Sequence, residues 1–186
     1  KVGEKMGQTR QERFQLLLDQ LQFPQDMRDL YFKNGEIVNL EVNKSEKKWQ
    51  FTFKIENVLP FATFQVFVTS LLRTFKHIAD VSVVINTENP KIDEQKVIDY
   101  WSFMIQSVES KSPILQHIES ALPSVENNKV MIDLNSLIEE NAFTNRYVPQ
   151  LQDLYQKVGF PKLFFENTIK DNVEEKTEFL VKKAEE

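Results

Sequence analysis

The segment Trp49–Ile85, WQFTFKIENVLPFATFQVFVTSLLRTFKHIADVSVVI, constrains the fold more than any other part of the chain. Trp49, Phe51, Phe53 and Ile55 alternate with Gln50, Thr52 and Lys54, the period of a half-buried strand. Pro60 suits the first turn of a helix, where a missing N–H costs nothing. Phe61, Phe64, Val68, Leu71, Leu72 and Phe75 then recur at helical spacing and predict its buried stripe. Val81, Val83 and Ile85 return to period two. Strand, helix and strand therefore share an aromatic core, and the stretch carries no reactive constellation.

The flanking segments extend this unit. Thr9 and Glu12 have capping-box spacing, and Phe14, Leu17, Leu18 and Leu21 follow as one apolar helical face. Pro24 ends that helix, and Asp26 to Phe32 reads as one further helical turn. Asn34-Gly35 is a turn signal. Val38, Leu40 and Val42 alternate with polar residues and pair with Trp49–Ile55 as an antiparallel hairpin. The first unit is thus α-β-β-α-β with a three-stranded sheet, closing near Asn86. The connection Thr87–Lys91, TENPK, separates domain 8–88 from domain 92–186.

The second unit is predicted to be helix-rich. A helix from about Asp93 to Ser110 carries Val97, Trp101, Met104, Ile105 and Val108 on one face. Ser112-Pro113 caps another, with Ile114, Leu115, Ile118 and Leu122 facing inward. Asn127-Asn128 turns into a strand, Val130, Ile132, Leu134. Ser136 and Glu139 repeat the capping-box spacing. Tyr147, Leu151, Leu154, Tyr155 and Val158 form a clear stripe, within which Pro149 either starts a helix or kinks one. Gly159 has the place of a C-cap, before Phe160-Pro161 and a strand at Leu163 and Phe165. Asp171–Glu186 reads as a charged helix with few apolar anchors. The fold class is α+β, two small domains.

Composition narrows the chemistry. The chain has 186 residues, no Cys, two His and four Gly. Disulfides, thiolate metal sites and Cys nucleophiles are excluded. The glycines form neither phosphate-binding pattern. His77 and His117 fall in different units and read as helix-end residues, Asp80 being the nearest sequence partner of His77. Glu139-Glu140, Glu174-Glu175 and Glu185-Glu186 read as solvated helix faces, and so does Asp99. No cofactor, metal or small-molecule substrate is expected. No apolar run approaches the roughly 20 residues of a membrane span. Lys1–Arg10 lacks the apolar centre of a secretory signal, and Met6 is a candidate natural start. A cytoplasmic location fits.

Charge is unevenly placed. Residues 1–92 hold 13 basic and 11 acidic side chains, and residues 93–186 hold 10 basic and 17 acidic. The acidic second half is a poor nucleic-acid clamp. Lys44, Lys47 and Lys48, with Lys33 and Lys54, form a basic rim on the hairpin, joined by Arg73 and Lys76 if the helix packs nearby. Such a rim either guides single-stranded DNA or is a solvated turn. Phe67 lies off the stripe of the central helix. It is a candidate protein-docking contact, the alternative being a wider buried face.

In order and spacing, the run FQLLLDQLQFPQDMRDLYFKNGEIVNLEVNKSEKKWQFTFKIENVLPFATF, continued by LLRTFKHIADVSVVI, resembles the extreme N-terminal region of the PolC family. These are the replicative DNA polymerase III alpha subunits of low-GC Gram-positive bacteria. The points of resemblance are Phe23-Pro24, Gly35-Glu36-Ile37, W-x-F-x-F at Trp49–Phe53 and Leu59-Pro60-Phe61. Thr74–Val81, Asp99-Tyr100-Trp101 and Gly159-Phe160-Pro161 complete them. The resemblance covers nearly the whole chain but rests on structural signatures, not catalytic motifs. It implies two accessory domains ahead of an oligonucleotide-binding-fold domain, a proofreading exonuclease and a polymerase core. The first would look like the C-terminal domain of the clamp-loader tau subunit, the second like a KH domain. The G-x-x-G loop with which KH domains clamp nucleotides is absent, which argues against nucleic-acid binding by the second. The resemblance further implies a magnesium-dependent parent polymerase, an inert N-terminal module, and a replisome protein such as tau as its partner.

Overall fold

The computed structural model describes residues 8–169, which divide into two compact units. The first takes residues 8–91 together with 156–161, and the second takes 92–155 and 162–169. The helix expected over Asp171–Glu186, with its two Glu pairs, lies outside the described residues.

In the first unit, α1 (Arg10–Gln20) starts at Thr9, whose Oγ1 accepts from the Glu12 N–H at 3.1 Å. Pro24 opens α2 (Gln25–Met27), which widens into a π-helical turn over Arg28–Phe32. Strands β1 (Glu36–Asn43) and β2 (Lys48–Ile55) form the expected antiparallel hairpin. The helix α3 (Phe61–Phe75) begins after Pro60, which stands at the N-cap, one residue ahead of the first turn. Strand β3 (Asp80–Thr87) lies parallel to β2, giving the order β1-β2-β3.

Phe14 of α1 and Phe67 of α3 both rest on Phe53 of β2, with ring centroids 5.4 and 5.1 Å apart, so both helices cover one face of the sheet. The core is rich in phenylalanine, with Phe14, Phe32, Phe53 and Phe67 fully buried beside aliphatic residues such as Leu18, Ile55, Leu59 and Leu71. The opposite sheet face is a set of polar rows, Asn43–Lys48–Asp80 and Glu41–Gln50–Ser82. Gly35 is fixed by space: a Cβ there would stand 2.1 Å from Phe14 Cε1. Gly159 instead needs its backbone freedom, at φ +104°, and its carbonyl accepts from Thr87 Oγ1 at 2.6 Å.

The second unit starts at α4 (Glu94–Ser107), capped by Asp93, and α5 (Ile114–Ser120). A short strand β4 (Ser124–Glu126) pairs antiparallel with β5 (Lys129–Leu134) across Asn127, which sits at φ +57°. The helix α6 (Leu137–Ala142), a π-helical turn over Phe143–Tyr147 and α7 (Val148–Lys157) make one helical path. Strand β6 (Phe164–Ile169) then pairs parallel with β5. Pro149 is the second residue of α7. Its ring would crowd the carbonyl four residues back in a regular helix, and the wide π turn precedes it there.

Three sequence expectations are corrected. β4 was not anticipated, because three residues containing one buried Val are too short for a period-two signal. Leu122 is 68% exposed because α5 stops at Ser120. The α3 stripe is rotated: Phe67 is buried and Leu72 is exposed, while Thr63 and Ser70 complete the buried face. Small polar residues fit against the sheet there, and an apolar-only pattern misses them.

Candidate interaction surface

The basic residues singled out in the sequence do not form one patch. In the hairpin, Asn43 pairs with Lys48 at the turn end, and Glu36 pairs with Lys54 at the other. Six residue steps along the strand separate the two lysines by about 20 Å. Lys54 is held near Glu88, Nζ to Oε1 3.8 Å. Lys33 belongs to that far side as well, next to Asn34, whose amide donates to Glu56 Oε1. It borders a shallow depression along α1 that also contains Glu12 and Asp19.

Lys44, Lys47 and Lys48 lie at the turn end of the hairpin, and Lys76, at the end of α3, is four residues ahead of Asp80. The Lys47 carbonyl accepts from the Asp80 N–H at 2.8 Å, which ties the hairpin turn to the segment leaving α3. Lys48 is paired with Glu46 at 3.4 Å. Lys44, Lys47, Arg73 and Lys76 have no ion pair among the described residues. That bond brings the backbone at the end of α3, where Lys76 stands, toward the hairpin turn, whereas Arg73 lies about a turn earlier on the helix.

Beside these cations the surface is apolar. Val42, Trp49 and Val81 are register partners across the three strands and form a row on the helix-covered face. The Trp49 ring lies 5.4 Å from Phe75 near the end of α3, and Trp49 remains half-buried. Leu72 lies one turn before Phe75 and is 43% exposed; Ile78, whose N–H bonds to the Phe75 carbonyl at 2.9 Å, is 55% exposed. Val42 is 44% exposed. The sequence showed the hairpin lysines but gave no sign of Leu72 and Ile78, since both fit an apolar helix-to-strand run.

Phe67, the candidate contact, is not at the surface. It is fully buried, with Phe32 and Phe53 each 5.1 Å from its ring. The wider buried face is the arrangement observed.

The histidines do not assemble a reactive centre. His77 is exposed beyond α3 and makes no ion pair with Asp80. His117 of α5 lies 3.9 Å from Glu139 of α6 and 3.5 Å from the Asn135 amide. Glu139 is occupied as a cap: its Oε2 accepts from the Asn135 N–H at 2.8 Å, and its own N–H donates to Ser136 Oγ at 3.2 Å. Among the described residues no three His, Asp or Glu are grouped to hold a metal ion, and no helix is long and apolar enough to cross a membrane. The shifted ionisations have structural causes. Burial pushes the Tyr100 and Tyr155 phenols far above their ordinary range. Hydrogen bonds from Ser102 and Gln106 lower the exposed Glu119 carboxyl.

Residues 13–85 match the family model described as DNA polymerase III polC-type N-terminus I, and residues 99–186 match N-terminus II. The chain is similar to DNA polymerase III PolC-type of Bacillus cereus, 32% identical over 91% of this chain and 12% of the relative. That of Bacillus subtilis (strain 168) is 34% identical over 81% of this chain and 10% of the relative. That of Oceanobacillus iheyensis is 32% identical over 96% and 12%. The chain thus spans about an eighth of the length of these relatives. With both domain models matched in order along these residues, the chain belongs to the family of PolC-type DNA polymerase III N-terminal regions.

Proposed function

We propose that this chain is a non-catalytic docking module of a PolC-type replicative DNA polymerase, holding a second replisome protein during chromosomal DNA replication in the cytoplasm. Nucleotidyl transfer with magnesium, and proofreading, belong in this reading to the rest of the parent polymerase. The observation that supports it best is the corner of the first unit where exposed aliphatic side chains lie near cations that have no ion pair among the described residues. Contiguous exposed apolar surface marks protein interaction more often than catalysis. The clamp-loader tau subunit is the partner to test first. Purified tau, titrated against the chain in solution, is expected to bind with a defined stoichiometry. Absence of binding by tau and by the other purified replisome proteins would sink the docking reading.

A second reading, a guide for single-stranded DNA, draws on the hairpin lysines. Its weakness is that the rings of Phe51 and Phe53 face the core, so bases lack the stacking platform such sites use. Fluorescence anisotropy of a labelled oligothymidylate decides it. Micromolar binding that weakens steeply with salt, and disappears on charge reversal at Lys44, Lys47 and Lys48, would favour the guide.

A further inference from the structure

We propose that the corner formed by the end of α3 and the β1–β2 turn docks an acidic amphipathic segment of a partner protein, aliphatic along one stripe and carboxylate-bearing along its margins. This rests on the docking reading and names the surface and the chemistry it recognises. The apolar floor is Val42 and Trp49, joined by strand register, with Leu72 and Ile78 three residues on either side of Phe75, whose ring meets Trp49 and whose carbonyl accepts from the Ile78 N–H. Three of the four are between 43% and 55% exposed. The margin is Lys44, Lys47 and Lys76, none in an ion pair among the described residues.

The nearby acids are already used or turned away. Glu46 is committed to Lys48. Glu41 and Asp80 lie in the rows of the opposite sheet face, with Gln50 and Lys48. An incoming carboxylate therefore meets cations without displacing an internal partner, while its neighbouring Leu or Ile covers the floor. Charge complementarity of this kind steers encounter and fixes register, and the apolar centre supplies the hold. A nucleic-acid strand matches the margin but not the floor, where aliphatic groups cannot stack with bases and one Trp face meets Phe75.

Trp49 is a built-in reporter. The other tryptophan, Trp101, is fully buried, with its indole N–H donated to the Ile118 carbonyl. Iodide is expected to quench emission of the whole chain more strongly than caesium at low salt. The excess should vanish in Trp49→Phe and in the double variant Lys47→Glu, Lys76→Glu. Equal quenching by the two ions would overturn the electropositive margin.

Binding is then read with designed helical peptides. A Leu/Glu amphipathic peptide is expected to shift Trp49 emission to the blue. The charge-reversed double variant, and separately Leu72→Ser with Ile78→Ser, should each weaken it by about tenfold or more. Equal binding of a Ser/Glu peptide lacking the leucines would remove the apolar floor from the proposal. Tighter binding of a Leu/Lys peptide, or of oligothymidylate, would overturn it. So would concentration-dependent self-association lost in the same variants, which would assign the corner to a second copy. Circular dichroism and the Trp101 signal verify that each variant is folded. Finally, purified tau is titrated against wild type and the Leu72→Ser, Ile78→Ser variant. Equal affinity overturns this surface while docking stands, whereas binding to neither, with none by the other purified replisome proteins, removes the docking reading itself.

Discussion

The two units have the same order of elements, helices, an antiparallel hairpin, a helical crossover and a parallel third strand, yet they are filled differently. The first buries phenylalanine rings with no polar atom to satisfy. The second buries Tyr100, Trp101, Tyr147 and Tyr155, whose polar tips must find partners. Trp101 donates to the Ile118 carbonyl at 3.1 Å, Tyr155 to the Val97 carbonyl at 2.7 Å, and Tyr147 to the Ser110 carbonyl at 3.0 Å. One topology is thus compatible with two kinds of core. Phenylalanine rings with aliphatic neighbours fill the first, while hydrogen bonds fix ring orientation in the second, whose buried phenols make its stability depend on protonation.

Each unit contains one tryptophan, Trp49 in the first and Trp101 in the second, so the comparison can be broken unit by unit. The largest effect is expected from Phe67→Ala, which should cost about 3–5 kcal/mol through lost burial and a cavity among Phe14, Phe32 and Phe53. In a denaturant titration the transition followed at Trp49 should move. An equal shift at Trp101 would mean that the units do not unfold separately.

Tyr155→Phe sharpens the contrast from the other side. It leaves the buried Val97 carbonyl without its partner, at a cost of about 1–3 kcal/mol near neutral pH. An unfolded tyrosine ionises near pH 10, whereas Tyr100 and Tyr155 in the fold hold their protons to much higher pH. With the folded value raised, their stabilisation is complete below about pH 10 and is lost as pH rises from there toward the folded values. The second unit should therefore melt first in alkali, and Tyr155→Phe should flatten that decline. A pH series of thermal melts reads both; a Trp49 transition that falls first would contradict the assignment.

Gly35→Ala should cost about 1–3 kcal/mol in the first unit, because its Cβ must displace Phe14. A neutral result would mean that the ring cluster yields easily. Ser136→Ala removes the α6 cap and should lower the second unit by about 1 kcal/mol, seen at Trp101 alone. The smallest effect belongs to Lys47→Gln with Lys76→Gln, each within about 0.5 kcal/mol, since neither side chain is in an ion pair among the described residues. A larger loss in chemical denaturation would show that these cations support the fold.

Much of the architecture was legible because its signals are local. The alternation of Trp49–Ile55, the caps at Thr9 and Ser136 and the positive-φ Gly159 depend on a few neighbouring residues. The α3 stripe shows where this stops. Periodicity in FATFQVFVTSLLRTF establishes an amphipathic helix, but two apolar stripes one residue apart fit the same letters. Contact with Phe14, Phe32 and Phe53 selects the one containing Phe67.

The interaction surface divides in the same way. The sequence by itself determined the identity of the elements, the phenylalanine-rich core, the absence of cysteine chemistry and the family signature, all encoded in short-range order. The tertiary structure decided what lies next to what. Parallel pairing of β3 on β2 brings the segment leaving α3, with Lys76, to the hairpin turn and leaves Lys33 and Lys54 at the far end. It also buries Phe67 and turns Leu72 and Ile78 outward. The physical reason is that local backbone and side-chain preferences set a residue's element, whereas its exposure and its charged neighbours depend on packing between elements far apart in the chain.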